Sequence, residues 1–168
     1  MHMTDGKIIK INNKTNRIVD LELQIATSAK TLPHPSQFKS WVSVVLTDKL
    51  KENIELTIRI VDESEIIDLN HRYRNKNKAT NVLSFPIELD FGENLDYRML
   101  GDIIICASVV EKEARDQNKE LLAHWAHMVV HGLLHLLGYD HENPEDANIM
   151  ESLESELMQN LGFKSPYL

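Results

Sequence analysis

Residues 131 to 141 read HGLLHLLGYDH and set three histidines, His131, His135 and His141, at spacings of four and six. On an α-helix, residues four apart lie one turn above each other on the same face, so His131 and His135 can aim their imidazoles at a common point. Such a pair alone is ordinary, because helix-facing histidines are commonly satisfied by packing and hydrogen bonds. Gly138 changes the reading: it falls where the helix must end, and glycine takes the left-handed conformation that closes a helix with little strain. The chain can then double back and bring His141 to the same point from outside the helix. Three imidazoles leave one position open on a tetrahedral zinc, the arrangement of a catalytic site, whereas a structural site takes a fourth protein ligand. The expectation is one zinc ion held by His131, His135 and His141.

The same helix carries His124 and His127. His127, His131 and His135 form one stripe, but its ends stand about 12 Å apart along the axis at 1.5 Å of rise per residue. Zinc–nitrogen bonds of about 2 Å cannot gather all three. His124 and His127 are therefore read as groups that support or line the site, or as packed histidines. Asp140 has two readings: acceptor of a hydrogen bond from a ligating imidazole, or cap of the turn after Gly138.

Metzincin proteases share this spacing and keep a glutamate after the first histidine as general base; here that position is Gly132. Peptide hydrolysis of that kind is disfavoured. Neutral imidazoles leave the ion its full double charge, which brings a bound water to a pKa of about 7 without a strong base. A phosphodiester substrate would also need its developing negative charge stabilised, a task for Arg74 or a neighbour.

The elements that must position these residues can be read from periodicity. RIVDLELQIA (17–26), IELTIRIVD (54–62), NVLSFPIEL (81–89) and GDIIICA (101–107) read as strands. Pro86 cannot donate to a ladder and puts the third at an edge or ends it there. Phe38, Trp41, Val42, Val45, Leu46 and Leu50 recur at three and four in a helix with Ser36 as cap. A second helix, capped by Asp62 or Ser64, turns Ile66, Leu69 and Tyr73 inward and ends near Arg74. Helical stretches follow over about 108–118 and 120–137. The last helix opens on NPED, with Asn143 as cap and Pro144 at its first position, and runs through Ile149, Leu153 and Leu157 to Gly162. The fold class is α+β: a small four-stranded mixed sheet packed with about five helices, zincin-like in its histidine helix.

A chain of 168 residues that is 42% hydrophobic suits one domain over 1–168, burying roughly 70% of its unfolded surface. No window is apolar enough to span a bilayer, and no export signal opens the chain, so an unexported, cytoplasmic protein without a membrane partner is expected. The single cysteine, Cys106, lies in an apolar strand and reads as an inert core thiol. The net charge of −8 argues against general nucleic-acid binding. Yet HRYRNKNK (71–78) holds Arg72, Arg74, Lys76 and Lys78 with no acid, while the rest carries 14 basic against 26 acidic residues. A phosphate backbone could be met at that one place, or the segment could be no more than a solvated helix end.

HMVVHGLLHLLGYDH, YRNKNKATNVLSFP, LGDIIIC and LGFKSPY together resemble the YbeY family of bacterial endoribonucleases, over about residue 54 to the end. The resemblance implies zinc on His131, His135 and His141 and an active-site role for Arg74. It also implies cleavage of single-stranded RNA, small-subunit ribosomal RNA maturation, ribosome quality control, and the ribosomal small subunit with its proteins as partners. One departure is NKATNV, where the family more often has Asp-x-Pro-Thr-Asp-Val; Asn77, Ala79 and Asn81 replace those residues. Ser84, Phe85 and Asp102 are read as structural or site-lining. Two other functions stay open: a ribosome assembly factor whose metal only fixes the helix end, and, with Gly132 against it, a metallopeptidase.

Overall fold

The computed structural model describes residues 6–11, 19–47, 49–50, 52–87 and 97–167. Ten elements follow in the order β1 (Lys7–Ile11), β2 (Val19–Ala26), α1 (Pro35–Thr47), β3 (Asn53–Val61), α2 (Glu63–Arg74), β4 (Val82–Pro86), β5 (Tyr97–Cys106), α3 (Ala107–Asp116), α4 (Leu121–Leu136) and α5 (Pro144–Asn160). The sheet is mixed and ordered β1-β2-β3-β5-β4. Strands β2, β3 and β5 run parallel, and the two edges β1 and β4 are antiparallel to their neighbours.

This is the expected α+β fold with five strands rather than four. The added strand is β1, KIIKI, paired with β2 from Lys7 opposite Ile25 to Ile11 opposite Leu21. It is short and flanked by polar residues, so its pairing with β2 is the cause of its extended form rather than its own pattern. β4 does lie at an edge, and Pro86 is its last residue. Residues 17 and 18 and residues 88 and 89 of the expected strands lie outside the described residues.

Alternation along the three parallel strands divides two cores. Leu21, Leu23, Leu56, Ile58, Ile103 and Ile105 face the larger core with helices α1, α4 and α5. Val61, Ile104 and Cys106, with Leu83 of β4, face a smaller one closed by Ile66 of α2. α4 is buried on most sides from Trp125 through Leu136, with His131 and His135 only partly covered. Phe38 anchors it, its ring 6.0 Å from that of Trp125 in an edge contact. No helix among the described residues is long and apolar enough to cross a membrane.

Local details depart from the periodicity. Helix α1 begins at Pro35, and the N–H of His34 is taken by Gln37 Oε1 at 2.7 Å, so Ser36 lies inside the first turn rather than capping it. Tyr73 is 62% exposed instead of facing inward with Ile66. Ile149 is also exposed, because Met150, Glu154, Leu157 and Met158 make the buried face of α5. Asn143 does cap α5, accepting from the N–H of Asp146 at 2.8 Å, with Pro144 following it.

Asp62 precedes α2 without a side-chain cap bond and instead binds the loop after β2. It accepts from Thr27 Oγ1 at 2.6 Å and from the N–H of Ser28 at 3.1 Å. The bond from Thr27, aided by Ser28 against a smaller opposing effect of burial, holds its carboxyl below the usual aspartate value. Folding therefore favours the ionised form, and its contribution is present above about pH 4 and lost as the pH falls through the lowered value. Asp62→Ala is expected to cost about 1–2 kcal/mol at pH 7. Denaturant titrations at pH 7 and pH 3 should show the gap to wild type narrowing at the lower pH.

Candidate metal centre and basic cleft

α4 ends where Gly138 takes φ 99°. The N–H of Gly138 bonds the carbonyl of His135 at 3.0 Å and the N–H of Tyr139 that of Leu134 at 3.0 Å, a Schellman closure that satisfies two terminal carbonyls. The reversal brings His141 back against the helix. Its ring lies 5.6 Å from His131, nearly parallel, and 5.0 Å from His135, edge to face. One nitrogen from each of His131, His135 and His141 falls within 4.8 Å of the others.

Each helical imidazole has its second nitrogen engaged. His135 Nδ1 lies 3.0 Å from the carbonyl of Tyr139, which can only accept, so Nδ1 carries the proton. His131 Nδ1 lies 3.1 Å from Glu154 Oε1 and donates to that carboxylate in the same way. With both rings neutral, both Nε2 atoms present lone pairs, and they face each other at 3.1 Å. Two lone pairs so placed repel unless a cation stands between them. Nitrogens sharing a tetrahedral zinc are roughly 3.3 Å apart, so the donor set fits such an ion. Burial, together with neighbouring His131 and His141, pushes the His135 imidazole below its ordinary pKa, keeping that lone pair available at neutral pH.

A second group, His127, His131 and Glu154, also has ligand atoms within 4.8 Å of one another. Here protons already account for the contacts. His127 Nε2 and Tyr167 Oη both donate to Glu154 Oε2, the latter at 2.9 Å, while His131 donates to Oε1. Burial alone would raise the pKa of Glu154, but the hydrogen bonds from His127 and His131 work against it and hold it at about 2. Glu154 is the site residue that the sequence reading missed. It shares the buried stripe of α5 with Met150, Leu157 and Met158, and a lone acid on an apolar stripe was the available signal. Asp140 accepts from the N–H of His141 at 2.7 Å, at the turn rather than at an imidazole.

Gly132 lies against the sheet. A Cβ there would come within 2.8 Å of Ile103 Cγ2, so this position serves close packing of α4 on β5 and is too tight for a glutamate. Ser84 of β4 donates to the carbonyl of Gly132 at 3.2 Å, and Arg74 Nη2 donates to the carbonyl of Ser84 at 2.9 Å. An open cleft of about 730 Å³ joins His131, His135 and His141 to Arg74, Lys76 and Lys78. The lysine loop is held by Asn70, which is buried and donates to the carbonyl of Lys78 at 2.8 Å. Asn81, one of the departures, donates to Glu113 at 3.0 Å, and Glu113 also contacts His124 at 3.1 Å.

The family model for endoribonuclease YbeY matches residues 23–162. The chain belongs to this family. Its members are endoribonucleases of ribosomal RNA maturation, so YbeY chemistry acts on RNA. A solved relative, the solution structure of TM1509 from Thermotoga maritima, is similar at 26% identity with a TM-score of 0.54, covering 83% of this chain and 91% of that one.

Glu154→Gln would turn an amide N–H₂ toward an imidazole N–H and leave one buried donor without an acceptor. A loss of about 1–3 kcal/mol is expected, read as a lower midpoint in chemical denaturation.

Proposed function

We propose that this YbeY-family chain is a zinc-dependent endoribonuclease specific for single-stranded RNA, working on the small-subunit ribosomal RNA in maturation and in ribosome quality control. In this reading His131, His135 and His141 hold one zinc ion, and Arg74 binds the phosphate to be cut. Its partners are the ribosomal small subunit and associated proteins, its compartment the cytoplasm, and 1–168 acts as one hydrolase domain. The observation that carries the reading is the facing pair of imidazole lone pairs at 3.1 Å, opening on a cleft shared with Arg74.

Zinc, when bound, supplies a Lewis acid and an activated water near neutral pH. The chain supplies the rest. Glu154 and the carbonyl of Tyr139 fix the tautomers of His131 and His135, so neither ring needs to reorient during the reaction. Arg74 spends one N–H on Ser84 and rests its guanidinium 5.8 Å from the Phe85 ring centre. The remaining fork of donors is preorganised for a phosphate, where it neutralises charge that grows towards the transition state. Lys76 and Lys78 extend the same positive wall.

His131→Ala is expected to lose zinc and to reduce cleavage of unstructured RNA by more than the 10–100-fold that outer partners of a metal commonly carry. Elemental analysis beside a gel assay checks both, and full zinc with full cleavage would exclude the ligand set. Arg74→Glu should lower cleavage by roughly 10²–10³-fold with zinc content unchanged. Equal loss of metal and activity would make the arginine a support of the fold instead.

A further inference from the structure

Tyr73 stands in the last turn of α2 between Arg72 and Arg74, with 62% of its surface exposed. The other large exposed hydrophobics have simpler accounts: Tyr167 is tied by its hydroxyl to Glu154, and Ile8 and Ile149 are isolated on separate elements. Tyr73 is not isolated. Its ring meets that of Phe85 at 5.2 Å and 65°, an edge contact that fixes its attitude. The guanidinium of Arg74 stands 5.8 Å from the same Phe85 ring. Phe85 is thus a common wall for an exposed aromatic and for the arginine that lines the histidine cleft. The surrounding segment, 71–78, is free of acids in a chain that is otherwise strongly acidic.

Exposed aromatic rings set among cations bind single-stranded nucleic acid by stacking on unpaired bases, with tolerance of sequence. We propose that Tyr73 is such a platform, taking one unpaired base next to the phosphate that Arg74 holds. This rests on the functional reading above and gives its single-strand preference a physical cause. In a duplex both faces of each internal base are already covered, so only an unpaired base can lie on the ring.

The test uses the full chain with an unstructured RNA oligonucleotide and the same strand annealed into a duplex. Tyr73→Ala should weaken single-strand binding by roughly 5- to 150-fold, the range for loss of one stacked base, with duplex binding, zinc content and thermal midpoint unchanged. Tyr73→Phe should bind as wild type, and Tyr73→Trp should bind and show indole quenching when single-stranded RNA is added. These two variants decide the matter even if the alanine variant folds poorly. Unchanged single-strand affinity in Tyr73→Ala, or no quenching in Tyr73→Trp, would overturn the platform while leaving the ribonuclease intact. Unchanged RNA affinity with weakened binding to the small subunit would assign Tyr73 to a protein contact and overturn it equally. A wild-type protein that neither binds nor cuts RNA would remove the functional reading and this inference together.

Discussion

Two imidazole nitrogens 3.1 Å apart, each with its opposite nitrogen already committed as a donor, form the contact on which the site depends. Such a pair is repulsive by itself and becomes favourable only around positive charge. The fold maintains it by fixing the backs of the rings. His135 is held by a backbone carbonyl that exists because Gly138 closes the helix, and His131 by a carboxylate reaching over from α5. Neither constraint comes from the two facing nitrogens themselves.

That carboxylate is expensive to bury. Glu154 is 1% exposed in an otherwise apolar face, and an ionised acid there is tolerated only with its oxygens saturated by donors. His127, His131 and Tyr167 provide them. His127 and Tyr167 make it possible to keep a charge behind His131. The tail carrying Tyr167 is pinned in turn, with Lys119 Nζ donating to the carbonyl of Pro166 at 3.1 Å and the Ser155 and Ser165 hydroxyls bonded at 2.8 Å.

What could be read from the sequence was what depends on local spacing. The one-turn separation of His131 and His135, the stop at Gly138, the cap at Asn143 and the edge strand ending at Pro86 all follow from residues close in the chain. Long-range features were missed. β1 has too little apolar pattern of its own and is extended because β2 offers a free edge. Tyr73 keeps the spacing of an inward residue, but the sheet beneath α2 is covered by Ile66 and Leu69, and Phe85 meets Tyr73 only at the rim. Glu154 sits among Glu151 and Glu156 in a run rich in acids. Only its phase with Met150 and Leu157 separates it from the solvated ones.

Gly132 then answers the question raised by the missing glutamate. α4 approaches β5 so closely at this residue that a side chain would press on Ile103, and the hydroxyl of Ser84 uses the carbonyl of Gly132 to join β4 to the helix. The same serine's carbonyl holds Arg74, so the contact at which residue 132 has no room for a side chain also ties Arg74 to the histidine helix. The substrate's charge makes sense of that exchange. A peptide carbonyl is neutral and tolerates an acidic base beside it, whereas a phosphodiester is an anion that a carboxylate would repel. Asn81 acts in the same direction: an aspartate there would set a second acid about 3 Å from Glu113, while the amide donates to it instead. Arg74, fixed through Ser84, and an uncharged Asn81 leave this side of the cleft suited to an anionic chain.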